Sequence, residues 1–139
     1  MTKAAELAKM GEVLTNSQIG GRRNIIINGA MQIAQRATSA TNVGSSTSGF
    51  HALDRFKHFS DGGSAGRLTM SQSTVSDLPG FANALKLDCT TADTSIAASE
   101  YFILSHPLEG QDLQQLKKGT SSAEKFTVSF YVKGNASAT

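Results

Sequence analysis

Hydrophobic and polar positions alternate most regularly late in the chain, in Lys125-Phe-Thr-Val-Ser-Phe-Tyr-Val-Lys133. On an extended backbone Phe126, Val128, Phe130 and Val132 line one side, and Thr127, Ser129 and Tyr131 line the other. Burying those four apolar side chains would contribute about 6–12 kcal/mol gross, at roughly 1.5–3 each. The pattern therefore predicts a core strand. A second organising stretch lies near the start, where Asn24-Ile-Ile-Ile-Asn-Gly29 runs into Met31-Gln-Ile-Ala-Gln-Arg36. Three consecutive β-branched residues stiffen χ1 and favour extended backbone. Asn28-Gly29 tolerates positive φ at both positions, so a hairpin is predicted over 24–36.

Between these stretches the pattern predicts further short strands separated by turns. Ala37 to Gly49 is rich in Ser, Thr, Gly and Asn and reads as a long exposed loop. Structure resumes over Phe50–Asp61, with Phe56 and Phe59 as bulk, and Asp61-Gly-Gly-Ser-Ala-Gly66 is a turn. Arg67–Val75 alternates, Leu68 and Met70 against Thr69 and Ser71, and Leu78-Pro-Gly-Phe81 turns the chain again. Ala84–Cys89 is a strand with Leu85 and Leu87 inward, and Thr90–Ser99 is a polar loop. Glu100–Leu108 is a strand that sets Phe102 and Leu104 against Tyr101 and Ile103, with Pro107 at its end. Gly110–Gly119 reads as a helical turn or two, stopped at Gly119.

Short strands at this spacing argue an antiparallel β-sandwich, whereas a parallel α/β sheet would need crossover helices that the pattern lacks. The expected division is an N-terminal segment, 1–22, and a sandwich domain, 23–139. The best strand lies close to residue 139, which predicts that further strands follow it or come from another subunit. The leader, 3–14, has Leu7, Met10 and Leu14 at helical spacing with Thr2 as N-cap. A helix this short needs a surface to lie on. It is therefore expected to dock on another protein through Leu7, Met10, Leu14 and Ile19, with Arg22 and Arg23 available to acidic groups. Thr15–Gly21 is the linker.

Composition sharpens this reading by exclusion. Charged residues are 17% of the 139. The four basic and two acidic residues of 1–23 carry the whole formal charge of +2. The rest is neutral, so no electrostatic footprint for nucleic acid is expected. No apolar run has the length of a membrane span, and no secretory signal is legible, so folding in a reducing cytoplasm is expected. The single cysteine, Cys89, reads as a half-buried strand residue.

Candidate chemistry is sparse. His51, His58 and His106 are the only histidines. Were 51–58 a strand, His51 and His58 would face opposite sides, so they are expected to be surface residues that share no metal. Asp54-Arg55 reads as a pair bracing a loop. No nucleophile elbow or phosphate-binding loop is present. Asn28, Asp88 and Glu109 supply oxygen ligands of the kind a structural calcium takes, the one metal reading the sequence offers. No enzyme activity and no cofactor are expected.

Two resemblances extend this picture. Asn24-Ile-Ile-Ile-Asn-Gly29, Leu85-Lys-Leu87, Leu113-Gln-Gln-Leu-Lys-Lys-Gly119 and Phe126–Lys133 together resemble jelly-roll carbohydrate-binding modules of the galactose-binding-like superfamily. This likeness spans about 24–133. Ala30 stands where that family has an acidic residue, and the chain has no Trp. The run Ala4–Arg36, followed by Leu53-Asp-Arg-Phe56, more specifically resembles the start of fibre or appendage proteins of tailed bacteriophages, marine ones in particular. That resemblance implies a virion structural protein, assembled in the host cytoplasm and involved in host attachment. It would be anchored by its N-terminal segment to a tail, portal-adaptor or capsid protein and would form a homo-oligomer, a trimer in many such proteins. The alternatives are a module binding a host surface glycan through Tyr101, Tyr131 or loop residues, and a capsid-decorating protein.

Overall fold

The computed structural model describes residues 2–8, 24–45 and 47–135. The chain divides into two units, Met1–Pro107 and Leu108–Thr139. In the first, the described strands are β1 (Ser39–Gly44), β2 (Ser48–Gly49), β3 (Lys57–Asp61), β4 (Arg67–Thr74), β5 (Asn83–Thr91) and β6 (Tyr101–Ser105). They form two antiparallel three-stranded sheets, ordered β1-β4-β5 and β2-β3-β6. The molecule is thus mainly β and sandwich-like, as the spacing of short alternating runs predicts.

β4 and β5 make the longest ladder, from Arg67 opposite Thr91 to Thr74 opposite Asn83. The alternation of β4 puts Met70 wholly out of solvent. On β5, Leu85 packs against the core, but Leu87 is 40% exposed and Cys89 is exposed, so neither takes its expected burial. The turn between β3 and β4 requires Gly62: at φ +85° a Cβ there would run into the Ser99 carbonyl and the Glu100 backbone.

The core consists of Val43, Ala52, Leu53, Phe56 and Met70, with Ile26, Met31, Ala34, Ala40 and Leu85 packed around it. Three of its five members come from the irregular 50–56 segment, not from a strand. Compactness there depends on Arg55, which adopts φ +73° and turns the backbone between Leu53 and Phe56.

Three expectations are corrected. The hairpin over 24–36 is absent: a turn forms at 27–30, but its flanks are not strands. Asn28 and Met31 sit at φ +60° and +56°, which breaks the extended backbone. The stretch expected to be a long loop, 37–49, holds β1 and β2. A ladder uses backbone groups and can form without apolar side chains, and one well-placed residue, Val43, anchors it. A register shift between Ala40 and Val43, with Asn42 at φ +59°, turns Val43 into the core. Finally, 125–133 forms no strand and joins neither sheet. Phe126, Val128, Phe130 and Val132 are 57%, 68%, 77% and 83% exposed.

The second unit starts with a one-turn helix, Gly110–Leu113, continued as a 3-10 turn, Gln114–Leu116. Left-handed Lys117 ends it, donating its N–H to the Gln114 carbonyl, two residues before the expected stop at Gly119. Glu124 closes the following turn: its N–H donates to the Leu116 carbonyl at 2.9 Å, and its carboxylate meets Lys117 Nζ at 3.6 Å. At the other end of the chain, residues 3–8 are helical. The Thr2 carbonyl accepts from the N–H groups of Ala5 and Glu6, as its place at the helix start predicts.

Candidate functional site

Asn28, Ile33, Gln35 and Asp54 come together as a polar clasp. Asn28 turns its side-chain amide onto Ile33, accepting the Ile33 N–H at Oδ1 and donating from Nδ2 to the Ile33 carbonyl, each at 2.9 Å. The same Nδ2 also donates to the Asp54 carbonyl at 3.0 Å. The Asp54 N–H donates to the Ile33 carbonyl, and Asp54 Oδ1 accepts the Gln35 N–H at 3.0 Å. One asparagine amide thus does what a neighbouring strand's peptide group would do. Its left-handed φ, the property that made Asn28-Gly29 read as a turn, also aims that amide. Gln72 Nε2 adds a bond to the Met31 carbonyl at 2.6 Å, tying the clasp to β4. Asp54 does brace a loop, with its carboxylate on the Gln35 N–H and its own peptide group on Ile33 and Asn28.

The histidines depart furthest from expectation. His58, on β3, is wholly buried and His51 is half-buried, so neither is the surface residue predicted; His106 is half-buried too. Because 51–56 is not a strand, alternation does not separate His51 from His58. Their rings meet, with His58 Nδ1 3.4 Å from His51 Nε2. Phe102 of β6 covers the His58 ring, centroids 4.3 Å apart. Burial, and secondarily the His51 ring, hold the His58 pKa below the ordinary histidine value. His106 donates from Nε2 to the Ile27 carbonyl at 2.8 Å and presents its ring edge-on to Phe56.

Other candidates stand apart from these. Of the docking residues, Leu7 is 74% exposed, and every described residue of the leader helix is exposed. Met10, Leu14, Ile19, Arg22 and Arg23 lie outside the described residues. The calcium reading loses its first ligand, since both polar atoms of the Asn28 side chain are engaged by backbone. Asp88 meets Lys86 at 3.1 Å, and the Glu109 carboxylate accepts from Gln111. Among the described residues no three His, Cys, Asp or Glu side chains gather as a metal site would need, and no helix is long and apolar enough to cross a membrane.

Each unit also leaves an apolar stretch exposed. On β6, Tyr101, Phe102, Ile103 and Leu104 are 40–47% exposed, so both faces of that strand reach solvent. In the second unit the exposed run is 126–132, with Tyr131 at 75%. The sequence pattern marks both as apolar, but it predicts burial within the chain.

Compared with family models, with curated proteins and with solved structures, the chain matches none.

Proposed function

We propose that this chain is a non-enzymatic structural subunit of a larger protein assembly: a fibre or appendage subunit of a tailed-phage particle. It docks through residues 1–22 and displays the β-rich body. The observation that carries this reading is the solvent-facing row Phe126, Val128, Phe130 and Val132. An alternating apolar row of this size is costly to leave in water, and patches of this kind mark protein–protein contact. Exposed Leu7 on the leader helix agrees, because a short helix with an apolar stripe gains its order from a partner surface. The phage assignment itself rests on the likeness of Ala4–Arg36 and Leu53–Phe56 to such proteins.

Particle incorporation tests the proposal. Removing residues 1–21 should abolish incorporation, and Phe130→Asp should impair assembly while the monomer stays folded. Full incorporation of both variants would overturn it. A second reading, a module for a host glycan, draws on Tyr101 and Tyr131, 46% and 75% exposed, since tyrosine rings can stack on sugar faces. Hits on a glycan array that vanish in Tyr131→Ala would favour that reading.

A further inference from the structure

β2 is only two residues long, Ser48 and Gly49, and sits at the edge of its sheet against Phe59 and His58 of β3. So short a strand is held mainly by what flanks it. On one flank Thr47 accepts the Ser60 N–H at 3.0 Å. On the other, the His51 ring lies over Gly49, where a Cβ would meet His51 Cε1 at 3.3 Å. From there His51 reaches His58, the residue paired with Gly49. Gly49 leaves the space that lets one imidazole cross the edge strand and touch the other.

The protons in this arrangement are constrained. His58 Nε2 is buried with no hydrogen-bond partner. An orphaned buried N–H is rarer than an orphaned acceptor, so the neutral pair keeps its proton on His58 Nδ1 and donates it to His51 Nε2. A further proton finds no acceptable place. On His51 Nε2 it sets two N–H groups face to face, or forces His58 to carry an unsatisfied N–H at Nε2. On His58 Nε2 it makes a buried cation without a partner. The other groups packed on His58 offer no compensation. β6 presents Phe102 and Leu104, and β2 presents Gly49. Lys57 and Asp61 lie on the opposite face of β3 by alternation, with Lys57 Nζ over the Phe59 ring at 4.1 Å. The titratable group facing His58 is therefore His51.

We propose that His51 and His58 form a proton-sensitive latch that holds β2 on β3, closed when the pair is neutral and released by acid. Opening frees the β3 edge, while the β1-β4-β5 sheet stays intact. A buried histidine that must stay neutral stabilises the closed form at neutral pH. That stability falls as pH drops below about 6.5, where a free histidine takes up its proton.

Amide hydrogen exchange on the full chain at pH 7 and pH 5, corrected for intrinsic chemical rates, tests this. The Ser60 amide should exchange at least about tenfold faster at pH 5, whereas Met70 and Leu87 on the β4–β5 ladder should not change. His51→Gln removes one partner of the pair and His58→Phe keeps the ring against Phe102, so each should abolish the pH response at Ser60. Imidazole NMR titration of the wild type provides a readout independent of how the variants fold: His58 should titrate below the ordinary histidine value. Unchanged Ser60 protection between the two pH values, a response that survives in His51→Gln, or a His58 titration at the ordinary histidine value would each overturn the latch.

Discussion

Leu53 and Phe130 are both large apolar residues, yet one is wholly buried and the other is 77% exposed. The segment around Leu53 has no regular alternation, forms no strand and supplies most of the core. The segment around Phe130 has the best alternation in the chain and buries nothing comparable. The difference teaches that periodicity describes the face a segment can present, whereas burial needs a second surface of matching shape. The 50–56 segment has such a surface in Val43, Met70 and the residues of the clasp, held close by long-range hydrogen bonds.

The sharpest way to break this contrast is truncation at both places. Leu53→Ala should destabilise the protein by about 3–5 kcal/mol in chemical denaturation, through lost transfer energy and a residual cavity. Phe130→Ala should change the same midpoint by less than about 0.5 kcal/mol. Equal costs would mean that the two segments are buried alike in solution. Next in size is the clasp. Asn28→Ala strips partners from Ile33 and Asp54 and should cost about 2–3 kcal/mol, measured by thermal melting. Asn28→Asp should cost nearly as much, because it loses the donor to both carbonyls.

Acid supplies a smaller effect with a defined sign. His58 has its pKa lowered in the fold, so the unfolded chain binds more protons below about pH 6.5 and stability declines as the pH falls through that range. Denaturation midpoints across pH 5–7.5 should show this slope in the wild type and a flatter one in His58→Phe. Smallest is Asp93. Its carboxylate accepts the N–H groups of Ser95 and Ala65 and the Ser64 hydroxyl, bonds that hold its pKa below the ordinary value. The stabilisation is present above the ordinary carboxylate range and disappears as pH falls through it. Asp93→Ala should mainly speed proteolytic nicking near Ser64–Gly66, with little change in the global midpoint.

The extent to which these features were legible varies by residue. β4 and β5 could be read because their side chains alternate in kind and glycine or proline turns precede them, and β6 because it is a short apolar run between a polar loop and Pro107. β1 could not, since only Val43 among its residues is a strong apolar marker and its ladder is made of backbone. Asn28 was readable as a turn residue but not as a clasp, because its partners Ile33 and Asp54 are chosen by the path of the chain. The histidine pair was hidden for a related reason. Alternation separates the rings only on a strand over 51–58, and the irregular path before β3 lets them meet. Phe102, which covers His58, carried no signal beyond being one apolar residue in an apolar strand.

Sequence by itself determined the class of this protein: short alternating runs, frequent turns and few charges allow a mainly β fold, because side-chain period and turn chemistry are local properties. Tertiary structure alone decided which apolar residues fill the core, which histidines meet and which strand-like segment stays in water. Each of those outcomes requires two stretches distant in sequence to find one another in space, and no local pattern encodes that meeting.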